Sequence, residues 1–441
     1  MIRSDKIVKI GLLLLLITSS CTMVPRTSTD ANDMSYLYNP LKNSLHPKYR
    51  VYNDNENKST LSIKFYSQDL FFSEANAEGA SMSSIVVFYR LFNLSQGRVA
   101  VDTSLIRLSI REMKGRRDYV YNFPLKADQG SKYEVELLLK DAITNKSIQA
   151  HIPFDKTITG NKHDFKVRGH FNQFDIFTEV LKEGNYVNLL YPKDRPDSLY
   201  LSYYEPFDNI PIAPSMLVPE KELDLTPSKS KNIPYSDTLP LMVPNRGVYL
   251  FATAPGSLTG YTLFNFGNNF PGISEPEMMI EALIYLSSET KINEMLAESS
   301  RKIALDNFWL GMSNNVEKSR ELLRIYYNRV LFANYFFSSY KEGWRTDRGM
   351  IYIIYGPPDK VYKTSEGEKW GYLKPEIKSG WGARYRVKED YLYFSFMNRE
   401  NPFTYNDYTI IRSESVTSYW EQAIRSWQSG IVFRLDNPQD L

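Results

Sequence analysis

Apolar and polar residues alternate with a period of two through the first half of this chain, and the period lengthens to that of a helix near residue 274. Leu61, Ile63 and Phe65 stand between polar neighbours, and Leu105 to Ile110 and Tyr133, Val135, Leu137 and Leu139 repeat the alternation. Ile85 to Phe92 is a β-branched and aromatic run that suits a central strand. Ser95-Gln96-Gly97 and Asp128-Gln129-Gly130 supply turns between these runs. Residues 49–158 are therefore expected to fold as a β-sandwich of immunoglobulin-like architecture. A second β-rich, sandwich-like domain is expected over residues 159–273. Its strands are predicted at Tyr186–Tyr191, Leu199–Tyr204 and Val248–Ala252, with Tyr261–Phe266 pairing with the last. Pro, Lys and Ser accumulate between Pro211 and Pro244, which predicts a long loop.

Beyond this point helices are predicted. Ser274 is placed to cap, Pro276 falls in the first turn and Glu277 follows three places on, so a helix is expected through about Leu286. Another is expected from Lys291 to Leu310. A third runs from Val316 to Phe337, with Leu322, Tyr326, Val330, Ala333 and Phe337 on one face. Met350–Tyr355 and Tyr391–Phe396 read as strands, and the stretch around Tyr419-Trp420 as a short terminal helix. The whole is expected to be multidomain: two β-sandwich-like domains, then an α+β domain over residues 274–441 with a helical lead-in.

The first thirty residues carry a different pattern. Arg3, Lys6 and Lys9 precede the apolar stretch Ile10–Ile17, and Thr18, Ser19 and Ser20 lead directly to Cys21. The apolar stretch is too short to cross roughly 30 Å of hydrocarbon, which takes about 20 residues. The layout is that of an export signal. A cysteine directly after small residues resembles the lipobox of bacterial lipoproteins, with Thr18 standing where Leu is usual. The resemblance implies a signal peptide over residues 1–20, acyl chains such as palmitate on Cys21, and a membrane as the first partner. Residues 21–48 are polar and rich in Pro, Ser, Thr and Asn, so they are read as a flexible tether. Thr22 and Met23 follow the cysteine with no aspartate, which favours the outer membrane.

Cys21 is the only cysteine among 441 residues, so no intramolecular disulfide forms and, with Cys21 lipidated, no thiol is left for a metal or a nucleophile. The formal net charge of +2 gives no electrostatic reason to expect nucleic acid as a partner. None of the four histidines, His46, His151, His163 and His170, lies beyond residue 170. The last domain therefore has no Ser-His-Asp or Cys-His arrangement, and only carboxylates remain there for catalysis or a metal. Asp347, Asp359, Glu366 and Glu368 are the local candidates. His163 and His170 read as surface residues, with a metal pair as the alternative. No catalytic residue, metal or cofactor is assigned.

The run GWRTDRGMIYIIYGPPD, residues 343–359, carries the most specific resemblance. It resembles the GWxTD-domain family of bacterial, often Bacteroidetes, exported proteins, and Phe308-Trp309, Arg329-Val330 and Ala333-Asn334 resemble the helical lead-in of the same family. The acidic, proline-rich link usual between the helices is replaced here by GMSNNVEKS. The resemblance implies the domain and not a chemistry. Physically the motif reads first as a structural device. Gly343 would end the long helix, Trp344 pack back on it, Thr346 and Asp347 cap a tight turn, and Gly349 admit a strand. Gly356, Pro357, Pro358 and Asp359 would then stop that strand. The alternative reading makes Asp347, with Arg345 or Arg348, a polar binding site. A second run, in which GPPD is followed by Trp370-Gly371-Tyr372 and a later strand, is similar to SmpA/BamE-like modules of outer-membrane lipoproteins, which implies an assembly accessory. Trp370, Tyr372 and Trp381 read either as core or as an aromatic surface for sugar or peptide. The expected function is a non-enzymatic interaction, assembly or scaffold module of the cell envelope, with protein partners and a glycan as a further partner. The alternative is a carbohydrate- or peptidoglycan-active enzyme, or a glycan-binding protein, using carboxylates and aromatics of the last domain.

Overall fold

The computed structural model describes residues 33–39, 45–75, 79–193, 195–217, 222–364, 366–374 and 390–435. Residues 1–20, where a signal peptide is expected, Cys21 and Trp381 lie outside the described residues.

Seven strands form the N-terminal sandwich: β1 (Lys48–Asn55), β2 (Lys58–Tyr66), β3 (Met82–Asn93), β4 (Val99–Arg111), β5 (Asp118–Lys126), β6 (Lys132–Asp141) and β7 (Ser147–Asp155). They pair antiparallel in one sheet of order β1-β2-β5 and another of order β4-β3-β6-β7. The period-two pattern places Leu61, Ile63 and Phe65 of β2 and Val135, Leu137 and Leu139 of β6 in one core between the sheets. Strand β3 is central, as its apolar run predicts.

The second β-region contains the hairpin-like pair β8 (Lys166–Gly169) and β9 (Val187–Leu190), and a four-stranded sheet β11-β10-β12-β13. Its strands are β10 (Ser198–Tyr204), β11 (Lys229–Pro234), β12 (Gly247–Ala252) and β13 (Tyr261–Asn265). Strand β11 corrects the expected long loop. Its residues are polar because it is an exposed edge strand, and it carries no apolar pattern that sequence reading would detect. Strands β12 and β13 are buried on both faces. One face belongs to the core of the second β-region, while the other meets Tyr340 and Phe403 of the C-terminal part. No solvated gap therefore marks the boundary placed at residue 273.

The C-terminal part holds six α-helices among the described residues: α1 (Pro276–Glu281), α2 (Glu289–Ala297), α3 (Arg301–Ser313), α4 (Val316–Phe337), α5 (Asp347–Tyr355) and α6 (Thr417–Gln428). A sheet of order β14-β15-β16-β17 completes it, with β14 (Lys360–Lys363), β15 (Gly367–Leu373), β16 (Tyr391–Asn398) and β17 (Tyr408–Ile410). Helix α4 has the predicted bounds and buries the predicted face. Three expectations fail here. Ser274 is not the cap of α1, whose N-cap is Glu275 with no side-chain hydrogen bond. The helix expected over 291–310 is two helices, because Ser300 restarts the chain by accepting a bond from the Ile303 N–H. Met350–Tyr355 is helical and not a strand: Thr346 caps α5, and every residue from Arg348 to Tyr355 is buried. Burial all round removes the period that separates helix from strand, and the isoleucines then suggest the wrong element.

The tether expectation also changes. The short 3₁₀ helix Ser35–Tyr38 packs into the C-terminal core together with Met34. The Met34 N–H donates to Val361 O (2.8 Å), which fixes the segment against β14. Among the described residues no helix is long and apolar enough to cross a membrane.

Candidate functional site

The motif is built against the last turns of α4. Gly343 N–H donates to Ser338 Oγ (2.9 Å) and Trp344 N–H to Asn334 Oδ1 (3.0 Å). Helix α4 has already ended at Phe337, so Gly343 is not its left-handed stop. Glycine is needed there because a Cβ would lie 2.0 Å from the Ala333 carbonyl oxygen. At Gly349 a Cβ would lie 1.9 Å from Gly343 O, so two glycines let three backbone segments touch. Thr346 Oγ1 donates to Gly343 O (2.7 Å) and accepts from Gly349 N–H (3.1 Å), closing the turn and capping α5. Trp344 is fully buried, its carbonyl accepts from Tyr285 OH (2.6 Å), and the Arg345 guanidinium lies 4.2 Å above its ring. Gly356 ends α5 with a φ of +87°, and Tyr372 OH donates to its carbonyl (2.9 Å). After Pro357 and Pro358, Asp359 accepts from Leu373 N–H (2.8 Å), which pins the turn to β15.

Each charge in the motif has its own partner, and none is the partner foreseen. Asp347 pairs with Arg412 (2.9 Å) and accepts from Ile410 N–H (3.1 Å); it pairs with neither Arg345 nor Arg348. Burial raises the Asp347 pKa, and Arg412 only partly opposes that. Arg345 binds Glu281 (2.6 Å), Glu342 (3.3 Å) and the Asp208 carbonyl (3.1 Å). Lys341 donates to Asn209 O (3.0 Å) and burial lowers its pKa to about 8. Residues 208–214, at the start of the Pro-rich segment, thus strap across the motif.

Arg348 is the centre of a buried network. It reaches Glu368 (3.2 Å) and Asn406 Oδ1 (2.6 Å), and its guanidinium lies 3.8 Å from the Tyr408 ring. Glu368 in turn accepts from Tyr38 OH (2.7 Å), Lys363 Nζ (3.0 Å) and Trp370 Nε1 (3.0 Å). Burial pushes the Glu368 carboxyl up, but Lys363 and Arg348 outweigh it and bring the pKa down to about 2. Trp370 packs among Tyr38, Phe337 and Phe396, and Tyr372 is buried as well. These two side chains are core, which overturns the aromatic platform at both positions. The acids do not converge either, since Asp347, Asp359 and Glu368 bind different partners. Sequence reasoning missed this network. The available signal was the aromatic pair Tyr36 and Tyr38 inside an otherwise polar stretch.

A second feature lies where the sandwich, the second β-region and the loops after α4 meet. A cleft of about 730 Å³ is lined there by Arg50, Lys162, His163, Glu179, Ser339 and Tyr405, among others. His163 and His170 do not share a ligand: His163 Nδ1 lies 3.0 Å from Val51 O, and His170 Nδ1 3.3 Å from Asn188 Oδ1. Among the described residues, the one group of three metal-type ligands is Glu134, Glu136 and His151. Arg98 already sits between those two glutamates, 2.6 Å from Glu134, and supplies the positive charge an ion would bring.

Solved structures similar to part of the chain include two beta-glucuronidases. Bacteroides uniformis beta-glucuronidase 2, covalently bound to cyclophellitol-6-carboxylate aziridine, is 13% identical over 28% of this chain and 15% of its own, with a TM-score of 0.17. A Bacteroides uniformis beta-glucuronidase is 11% identical over 37% of this chain and 16% of its own, with a TM-score of 0.18. The chain thus spans about one sixth of the length of either enzyme. No curated protein matches the chain. Residues 247–429 match the GWxTD domain, so this segment, which holds β12, β13, the motif, the buried Arg348–Glu368 network and α6, is a GWxTD domain carried by the chain.

Proposed function

We propose that this chain is a membrane-anchored cell-envelope lipoprotein whose folded body is a non-enzymatic interaction and assembly module. In this reading Cys21 carries the lipid, the outer membrane holds the anchor, and envelope proteins are the partners. Two or more acyl chains, at about 0.8 kcal/mol per buried methylene, make such an anchor stable where one chain binds marginally. The observation that supports a binding role is the internal pairing of the motif. Gly343, Thr346, Asp347, Arg348 and Gly349 all serve neighbouring backbone or side chains. The family's most distinctive residues therefore make a rigid frame, and recognition falls to surfaces that the frame holds in place. The N-terminal sandwich, with sheet orders β1-β2-β5 and β4-β3-β6-β7, fits an immunoglobulin-like docking module. The assembly-accessory role implied by the SmpA/BamE-like run belongs to the same proposal.

The test uses the full chain in cells. Palmitate labelling should be present, should vanish in Cys21→Ala, and should take the membrane fraction with it. Crosslinking in intact cells should recover defined envelope proteins. Label retained in Cys21→Ala would refute the anchor. Glycan turnover by purified protein, with no crosslinked partner, would refute the binding role.

A further inference from the structure

We infer that the cleft between the sandwich, the second β-region and the loops after α4 binds an acidic oligosaccharide. The inference deepens the binding-module reading above by naming a ligand class and a site.

Charge is the first argument. Lys48, Arg50, Lys162 and Lys182 line the cleft against a single carboxylate, Glu179, although Lys plus Arg and Asp plus Glu are nearly balanced over the whole chain, 53 to 51. Glu179 stands 3.8 Å from Arg50 and 3.9 Å from Lys162, too far to make the charge-assisted bonds of about 2.7–2.9 Å that would satisfy either. Burial lowers the Lys162 pKa, with Glu179 opposing. Among the described residues that line the cleft, none gives these cations a close counter-ion, and an anion would supply it.

The unpartnered polar atoms narrow the ligand further. Among the described residues, Arg50 Nε, His163 Nε2 and Ser339 Oγ are buried without a hydrogen-bond partner and belong to residues that line this one cleft, with the Arg50 guanidinium 5.4 Å from the Tyr261 ring. Arg50 Nε is a donor and calls for an acceptor such as a carboxylate oxygen. His163 calls for the opposite. Its Nδ1 lies 3.0 Å from the Val51 carbonyl, which only accepts, so Nδ1 carries the proton and Nε2 is a bare acceptor. Burial, reinforced by Lys162, keeps the ring neutral by lowering its pKa to about 3. Only a donor such as a hydroxyl meets Nε2. A simple anion satisfies Arg50 and not His163, whereas a hydroxylated acid satisfies both.

Size and surface complete the case. The volume of about 730 Å³ lies within the roughly 300–1,000 Å³ usual for small-ligand sites. Tyr335 and Tyr405 line the cleft and remain 43% and 40% exposed, each with a lysine ammonium near its ring, Lys48 at 4.5 Å and Lys162 at 3.7 Å. Tyr405 stacks on His163 at 5.7 Å, which fixes its ring. The partly exposed tyrosines and the lysines held over their rings suit a ligand that carries both hydroxyls and acids.

Calorimetry on the folded full-length body, with galacturonate and mannuronate tetrasaccharides as probes, tests this. At least one acidic tetrasaccharide should bind, and maltotetraose should bind at least tenfold more weakly. Arg50→Met and the surface variant Lys182→Glu should each weaken binding severalfold, and Lys182→Glu should do so with no change in melting temperature. His163→Phe should weaken the acidic sugar while leaving any affinity for sulfate, which carries no hydroxyl at neutral pH, unchanged. Absence of binding by both acidic probes at millimolar concentration would overturn the inference, as would equal binding of the neutral sugar, or sulfate binding as tightly as the acids. The crosslinking of envelope proteins is scored separately, so loss of the sugar site leaves the anchor and partner reading to stand or fall alone.

Discussion

Replacing Glu368 by Gln should be among the most damaging single changes in the C-terminal part. The substitution keeps the shape but leaves Arg348 and Lys363 positive beside it, and Arg348 is about 1% exposed. Breaking a buried pair by removing one charge costs about 3–5 kcal/mol, because the other charge stays desolvated. Unfolding entropy near 60 °C is about 2.1 cal/mol/K per residue. If the unit 34–441 unfolds as one, a loss of about 4 kcal/mol lowers the melting temperature by about 5 °C. If the segment 247–429 melts alone, the same loss lowers its transition by about 10 °C. Scanning calorimetry at pH 7 therefore reads both the loss and the size of the cooperative unit.

The pH dependence gives an independent check on the same residue. Glu368 has a folded pKa of about 2, below its ordinary value of 4.5. Its stabilisation is complete above about pH 4.5 and is lost as pH falls towards 2. The gap between wild type and Glu368→Gln should thus be widest near neutral pH and close progressively in acid. The triple replacement Arg348→Met, Lys363→Met, Glu368→Gln should recover much of the loss, since it removes the charges together while the amide oxygen can still accept from the Tyr38 hydroxyl or the Trp370 indole. A Glu368→Gln melting temperature within 1 °C of wild type at pH 7, or a gap that does not narrow below pH 4.5, would refute the network as described.

Three further outcomes follow from the same geometry. Gly349→Ala should abolish folding of the C-terminal part, because its Cβ would press on the Gly343 carbonyl at 1.9 Å; Gly311→Ala, on an exposed helix position with nothing within 4 Å, should stabilise by about 0.5–1 kcal/mol, and circular dichroism melts compare the two. Asp347→Ala should cost about 1–3 kcal/mol by leaving Ile410 N–H and Arg412 without their acceptor, whereas Asp347→Asn should cost clearly less, because burial already penalises the ionised form; urea titrations that ranked Asn as the worse change would contradict this. A chain beginning at Asp33 should match the full chain in stability and one beginning at His46 should not, since only the second loses the Met34 and Tyr38 contacts; equal denaturation midpoints would refute the docking of that segment.

What the sequence made legible follows a physical division. Where an element buries one face and wets the other, its period survives in the residue pattern, as in β2, β6 and α4. Where burial is complete the period is lost, and α5 reads as a strand because its isoleucines carry the only remaining signal. Strand β11 fails for the opposite reason: an exposed polar edge has no apolar residues to pattern. The motif residues were expected to make structural contacts, and the partners they make them with were not legible. Arg412, Glu368, Tyr38 and Asp208 lie far from the motif in sequence, and no local spacing encodes contacts of that range. The cleft was illegible for the same reason, since Arg50, His163 and Ser339 come from three separate regions.

That division bears on function. A frame assembled from long-range buried pairs is costly to disturb, so its residues are constrained whether or not they touch a ligand. Trp344 and Trp370, the conspicuous aromatics of the C-terminal part, are fully buried and belong to the frame. The frame itself keeps buried polar atoms without a partner among the described residues, such as Trp344 Nε1 and Arg345 Nε, but Arg50, His163 and Ser339 carry such atoms and also line an open cleft. They are brought together only because the sandwich, the second β-region and the loop after α4 are packed against one another. On this argument the GWxTD motif acts on binding through position: it fixes the turn after α4, and with it Ser339 and Asn334, at the wall of the cleft. A change such as Gly343→Ala should then weaken cleft binding together with stability, while the surface variant Lys182→Glu weakens binding alone. A variant at Gly343 that kept full affinity despite lowered stability would show that the motif and the cleft are independent.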